Sequence, residues 1–475
     1  MQLFGRRKIH TSVTEITAQN VASVIRETSA VHRVNQGEIE YLYAYYRGQQ
    51  DILTRSKSVR PEICNNVVVN HANEIVSFKV SYLLGEPMQY VSRNDADSKE
   101  INRLNEFMYA EDKESKDKEI ADWMHICGVA YRMVKPDRRG EEDGSPVNIL
   151  TLDPRYTYTI YSRDTGSPMI GAVLVKEDTA GDTVHVVYTP DWYFEVRDEQ
   201  VSEPKPNPLG LIPVVEYVHN EARMGAFEPV VPILDKINVV ESNRIDDIEQ
   251  YVQSFLVFEN CDIDAETYAA LRRDGGLKVK GDAGNPAKVY RVGDELSQAG
   301  VQTVIDDLYD RVLTICGMPN RNGGSSTSDT GAATIMRDGW QDAEARAQDT
   351  EKLFKRSERA FLRLVLRICR DTSKIGLTLG QIEQKFTRRN YSNLQSKAQV
   401  LAEMLNSPKI HPLLAFTSCG MFSDSEAAYA MSMKWYEEQQ SAAGKPEIAD
   451  DRQVGKTEQK VQGSTVKNAE SETVQ

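Results

Sequence analysis

A chain of 475 residues exceeds what one hydrophobic core supports, and 40% apolar with 27% charged residues is a globular composition, so about two to four structural units are expected. A formal net charge of −14 argues against a protein that coats nucleic acid by neutralising phosphates, although it permits a conduit through which a duplex must slide without being gripped. The six cysteines, Cys64, Cys127, Cys261, Cys316, Cys369 and Cys419, form no C-x-x-C pair, Met1–His10 has no apolar core, and no run of about 18 apolar residues exists; reduced, buried thiols, a cytoplasmic origin and no membrane helix are expected.

In chain order, the first forty residues are polar with a helix expected from Glu15 to Arg33. Glu38–Leu53 then carries Tyr41, Leu42, Tyr45 and Tyr46 as packing positions. A helix from Val69 to Leu83 stops at Gly85-Glu86-Pro87, and another from Lys118 to Cys127 stops at Gly128. Between 129 and 218 strand patterns dominate: Val129–Val134, Val147–Leu152, Thr157–Tyr161, Ile170–Val175, Thr183–Tyr188, Tyr193–Val196 and Ile212–Val218. The pattern is α+β.

Pro229 and Pro232 open a run without further glycine or proline to residue 256, in which Val230, Leu234, Ile237, Ile245, Ile248, Val252 and Phe255 recur at helical spacing. Such a helix is roughly 40 Å long and needs partners along its length. Asp235, Glu241, Asp246, Asp247 and Glu249 lie on it. A second stripe, Val301, Val304, Ile305, Leu308, Val312 and Ile315, ends at Cys316-Gly317-Met318-Pro319 and carries Asp306, Asp307 and Asp310. The two helices bracket an insertion, 257–297, with a short helix capped by Asp264 and ended by Gly275-Gly276, and strands at 277–280 and 288–292. Asn320–Asp329 is Gly/Ser-rich and has almost nothing to bury. A long helix from about Gly331 to Asp371 follows, with a bend expected near Asp338-Gly339. Ile382–Thr387 reads as a strand. Ser392 and Ser423 each open a helical pattern, the latter with Glu426 as a capping box, and these helices form a separate C-terminal unit. From Ser441 the chain has no aromatic residue and eleven charges, the composition of a disordered tail.

The search for chemistry finds little. Neither Gly281-Asp282-Ala283-Gly284 nor Gly323-Gly324-Ser325 has the lysine of a phosphate-gripping loop. His71 and Glu74 sit one turn apart without a second histidine at metal spacing, and no serine sits in a Gly-x-Ser-x-Gly elbow. The acids of the two long helices admit a two-metal nuclease only if they converge on one pocket. Strung along a helix, they read instead as a solvated face. No catalytic residue, metal ligand or cofactor is assigned.

Leu209-Gly210-Leu211-Ile212-Pro213-Val214-Val215, then His219-Asn220-Glu221, the helix pair, and Gly317-Met318-Pro319 before the Gly/Ser-rich loop give an order and spacing that resembles the portal proteins of tailed double-stranded DNA phages, of the kind found in long-tailed phages of Gram-positive bacteria. Asn73 through Gly85-Glu86-Pro87 is similar too, and the resemblance covers most of 35–440. It implies an α+β portal fold: a wing of 1–228 and 332–390, a stem of 229–256 and 298–317, a clip at 257–297, a tunnel loop at 318–331, a crown at 391–440 and the tail 441–475. It further implies a homo-oligomeric ring of about twelve subunits at one capsid vertex, closed by heterologous contacts. Double-stranded DNA would pass without sequence specificity during packaging and ejection. The terminase large subunit and then a head completion or adaptor protein would dock, beside major capsid and scaffold proteins, in a virion component assembled in the host cytoplasm.

Under that resemblance the tunnel loop, Arg321, Asn322, Gly323, Gly324, Ser325, Ser326, Thr327 and Ser328, would touch passing phosphates without reading bases. Whichever of Asp235, Glu241, Asp246, Asp247, Glu249, Asp306, Asp307 and Asp310 point inward would repel DNA, and Arg272, Arg273, Lys278 and Lys280 are the docking candidates of the clip. The competing readings are a metal-dependent nuclease and a helical interaction scaffold. Divalent-metal-dependent cleavage would mark the first, and coiled-coil dimers or trimers the second.

Overall fold

The computed structural model describes residues 3–93, 98–137, 144–252, 255–260, 266, 269, 284, 286–292, 298–320, 339–373, 375–387, 394–422 and 425–443. It divides into two compact units, Met1–Ser396 and Lys397–Gln475. The architecture is α+β.

In the first unit, β1 (Ile9–Thr11), β5 (Thr157–Ser162), β6 (Met169–Glu177), β7 (Thr183–Tyr188), β8 (Trp192–Arg197) and the two-residue β10 (Lys205–Pro206) form one sheet in that order, with β9 (Gln200–Val201) on β8. Only β1 pairs in parallel; the others are antiparallel neighbours, as short Gly- and Asp-containing turns require. α1 (Val21–Tyr46) packs Val21, Val24 and Ile25 onto the inward Ile160, Val173, Val187 and Phe194. It is one helix rather than the expected two segments. Gly37 is accommodated inside it with nothing near its Cβ position, and residues before Val21 are held in a turn by Asn20, whose amide bonds Thr17 N and Glu15 O.

β11 (Val214–Val218), β3 (Val129–Pro136) and β4 (Val147–Leu152) form a three-stranded sheet, and β2 (Gln89–Ser92) pairs with β14 (Ile382–Lys385). α2 (His71–Leu83), α3 (Ser98–Ala110) and α4 (Lys113–Cys127) surround them; α3 was not legible, and α4 begins five residues ahead of the expected Lys118. α4 ends at Gly128, whose φ of 86° only glycine adopts readily and whose added Cβ would lie 2.2 Å from Arg223 O.

The long helix α7 (Trp340–Thr372) lies over this sheet, packing Phe354, Phe361, Val365 and Ile368 against Ala130, Val134, Ile149 and Tyr217. It does not bend at Gly339: it starts there, because Gly339 is left-handed (φ 78°), and the expected 331–338 portion lies outside the described residues. Within this core sits a neutral set of buried charges. Lys113 Nζ is 2.6 Å from Asp117 and 2.8 Å from Glu358, Arg132 Nη2 is 2.5 Å from Asp117, and the Tyr90 and Tyr217 hydroxyls donate to Glu358. Two cations and two carboxylates thus join α4, β3 and α7.

The two sheets are joined at Glu216 of β11. Its carboxylate takes both Arg223 Nη atoms at 2.7 and 2.8 Å and the hydroxyls of Tyr131 and Tyr161. Burial pushes the Glu216 carboxyl up, but the Arg223 charge and these bonds more than reverse it, to about 2. A carboxyl depressed on folding stabilises above its ordinary pKa of about 4.3 and loses that contribution as pH falls through the folded value. Acid titration of unfolding is therefore expected to show about 3 kcal/mol lost between pH 5 and 2 in the native protein and absent in Glu216→Gln. Equal acid sensitivity of the two proteins would refute it.

The second unit contains α9 (Pro412–Cys419) and α10 (Ser425–Ala443), with most of α8 (Leu394–Leu405). Phe416 stacks on Phe422 and meets Tyr429 edge-on, and the Glu426 capping-box partner Ser423 lies outside the described residues. So does the tail beyond 443. Cys127, Cys316, Cys369 and Cys419 are free and buried and Cys64 is free and half-buried; Cys261 is outside the described residues. No described helix is long and apolar enough to cross a membrane.

Candidate functional site: the paired helices and their two excursions

α5 (Val231–Val252) follows a 3-10 turn, Glu228–Val230, and runs antiparallel to α6 (Gln298–Cys316). At their shared base Val230, Leu234 and Ile237 of α5 and Ile305, Val312 and Leu313 of α6 enter the core with Tyr45, Val76 and Phe227. At the other end Arg244 donates to Gln298 at 2.7 Å and Gln302 at 2.8 Å. Tyr309 stacks on His71 and bonds Glu74, so the pair set aside as metal ligands instead seats α6 on α2. Ile245, Ile248, Val304 and Ile315 remain exposed.

α5 ends at Val252, short of the expected 256, because Phe255–Glu259 is strand β12, paired with β13 (Lys288–Val292) from Phe255↔Val292 to Glu259↔Lys288. β-branched and aromatic residues favour that pleated pairing. The insertion thus leaves and returns on a two-stranded ladder. Arg272, Arg273, Lys278 and Lys280, the Asp264-capped helix and the 277–280 strand lie outside the described residues. A second excursion opens at the base. α6 ends with left-handed Gly317 and a bond from Met318 N to Leu313 O, and the Cβ position of Gly339 lies 3.7 Å from Met318 O and 3.8 Å from Pro319 Cα. The chain returns to the point it left. Arg321, Asn322, Gly323, Gly324, Ser325, Ser326, Thr327 and Ser328, between those ends, are outside the described residues.

The eight acids separate into two groups. Asp246, expected among the channel-facing candidates, is 1% exposed; Lys57 Nζ lies 2.5 Å and Arg55 Nη2 3.3 Å from its carboxylate, and Asn65 N donates at 2.7 Å. Burial raises its pKa, and the Lys57 and Asn65 bonds outweigh that and lower it. Its charge is consumed inside the subunit. Asp235 is half-buried and accepts the Tyr45 hydroxyl at 2.8 Å, burial raising its carboxyl pKa; Glu249 accepts Asn65 Nδ2 at 3.1 Å, and half-buried Glu241 lies 3.8 Å from Arg244. Asp247, Asp306, Asp307 and Asp310 are exposed, Asp307 paired with Arg311 one turn on. Among the described residues, no three His, Cys, Asp or Glu side chains are grouped to hold a metal ion.

Sequence reasoning missed what the polar face of α5 does. Asn238, Ser242 and Asp246, four residues apart, accept the backbone N–H groups of Val69, Val67 and Asn65 at 3.0, 2.9 and 2.7 Å. Four helical residues rise about 6 Å and two extended residues about 6.6 Å, so the helix face substitutes for a neighbouring strand. The signal was there as small hydrogen-bonding side chains at i, i+4 and i+8. A second fastening holds the base. Buried Arg6 bonds Glu38 of α1 at 2.9 Å and Glu228 at 2.8 Å, and Glu228 also accepts Gly5 N and Gly225 N.

The family model described as phage portal protein, SPP1 Gp6-like, matches residues 28–445. No curated protein matches the chain. Among solved structures, a chain from the neck of an empty GTA particle, computed with C6 symmetry, is 10% identical; the match covers 74% of this chain and 90% of that one, with a TM-score of 0.43. With most of its length matched, from the first helix through the paired helices to the C-terminal unit, the chain belongs to the phage portal protein family.

Proposed function

We propose that the protein forms a ring at one capsid vertex through which double-stranded DNA is packaged and ejected, and that it acts structurally, with ATP hydrolysis supplied by a docked terminase large subunit. The observation that carries this reading is the paired-helix shaft with one excursion at each end: the β12–β13 insertion, and the 320–338 stretch that leaves and returns beside Gly339. Such a shaft suits a stem, with a clip to receive terminase and then the head completion protein, and a tunnel loop at the base. Exposed Ile245, Ile248, Val304 and Ile315 are apolar surface suited to neighbouring subunits in a ring of about twelve. Asp247, Asp306, Asp307 and Asp310 are the acids left to repel phosphates, and Arg321 is the loop cation for transient phosphate contact. Arg272, Arg273, Lys278 and Lys280 are the proposed docking cations; capsid and scaffold proteins surround the ring within the virion, assembled in the host cytoplasm.

Deleting Asn322–Ser328 is expected to leave ring assembly intact while reducing the DNA packaged or retained per particle. Particle counts and encapsidated DNA measure it. Normal packaging and retention in the deletion variant would overturn the loop assignment.

A further inference from the structure

The net charge of −14 conceals a local reversal of sign. On α7, Lys352, Arg356, Arg359, Arg363, Arg367 and Arg370 are all exposed. At about 100° per residue these six fall within about 80° of arc, and they extend for about 27 Å along the helix. Three have exposed partners: Lys352 with Asp349, Arg356 with Glu221 and Arg367 with Asp371. Pairs so open to solvent hold their partners weakly and exchange readily. Arg359, Arg363 and Arg370 have no carboxylate partner among the described residues. The opposite face of the same helix is buried in the core, so the stripe is fixed in line rather than free to turn.

The groove beside the stripe, about 650 Å³ between α7 and β11, extends the positive surface. Lys8 lines it together with Arg356 and Arg363 of α7. Its two acids, Glu216 and Glu221, are already paired with Arg223 and Arg356. No free carboxylate therefore offsets the guanidinium groups there among the described residues.

We infer that this face of α7 binds the phosphate backbone of duplex nucleic acid, by charge and without reading bases. A straight row of arginines on one helix face is the electrostatic footprint of a polyanion, and each phosphate neutralised releases counterions. Arginine serves better than lysine because its fork meets phosphate oxygens in pairs. The surface lies on a different helix from the acids of α5 and α6, and its DNA affinity does not depend on the channel reading.

The test uses the full-length protein and a fluorescent duplex of about 30 base pairs and arbitrary sequence, titrated at several salt concentrations on fractions matched for native mass. R359Q/R363Q/R370Q alters only exposed side chains, and an unchanged thermal midpoint verifies its fold. Expected are affinity at least about tenfold weaker and a slope of log K against log salt shallower by roughly 2–3, with R359K/R363K/R370K restoring most of both. Unchanged affinity and slope, or no duplex binding by the native protein, would overturn the inference. A change in native mass with DNA affinity unaltered on matched fractions would also overturn it, by assigning the stripe to another copy of the chain. Ring formation is read separately by mass, so failure of the portal reading is not confused with failure of this one.

Discussion

Replacing Glu358 by alanine is expected to destabilise the first unit by about 3–5 kcal/mol, the cost of removing one partner from a buried ionic group. Glu358 is fully buried on α7, and it balances Lys113 at 2.8 Å and Arg132 at 3.5 Å while accepting the hydroxyls of Tyr90 and Tyr217. Without it, Asp117 alone faces two buried cations, and two buried hydroxyls lose their acceptor. Burial raises the Glu358 pKa, but Lys113 and Arg132 lower it further than burial raises it, so the native group is the carboxylate. Glu358→Gln keeps an acceptor for the tyrosines and loses the charge, and a smaller but still substantial loss is expected. Urea unfolding at fixed protein concentration measures both. An alanine variant as stable as the native protein would show that the network contributes packing alone.

Arg6→Met is expected to cost a similar amount, about 3–5 kcal/mol, because it removes one partner of a buried ionic group. Methionine approximates the volume of the arginine stem, so the loss reads chiefly as charge. Glu228 would keep its backbone donors Gly5 N and Gly225 N but no cation, while Glu38 would keep Arg7, which is 43% exposed. A buried carboxylate left without its cation is what makes the loss large. Urea unfolding of the native and variant proteins at one fixed pH measures the loss. A variant as stable as the native protein would contradict this. Because Glu228 lies in the turn that opens α5 and Glu38 lies on α1, hydrogen exchange should also rise at the base of α5 before it rises in the sheets.

What could be read from the sequence was whatever comes in runs or repeats with a period. The strands between 129 and 218 were placed nearly to the residue because runs of β-branched and aromatic residues are bounded there by turn residues, although only β4 and β8 alternate clearly in burial, and the paired helices were found because Leu234, Ile237, Val312 and their neighbours recur every three or four residues. Turn chemistry was less legible. Gly339 carries the same letter whether it bends a helix or starts one, and only its left-handed φ decides. Charge was the least legible. Asp246 and Asp247 are adjacent acids on one helix, yet the first is buried against Lys57 and the second is exposed, because an extended segment some 180 residues earlier covers one side of α5. The arginine row of α7 was visible as basic residues at i, i+3 and i+7, but a chain-wide net charge averages it away.

The measurement that tests the central claim most directly is the native mass of the purified full-length protein, taken with negative-stain images of the same fraction. A closed ring with a central opening and a mass about twelve times 53.5 kDa is expected, persisting from low to high salt if exposed apolar residues such as Ile248 and Val304 form the contacts as proposed. A monomer or dimer that persists across protein concentration and salt would contradict the ring, and with it the reading of the paired helices as the wall of a DNA channel.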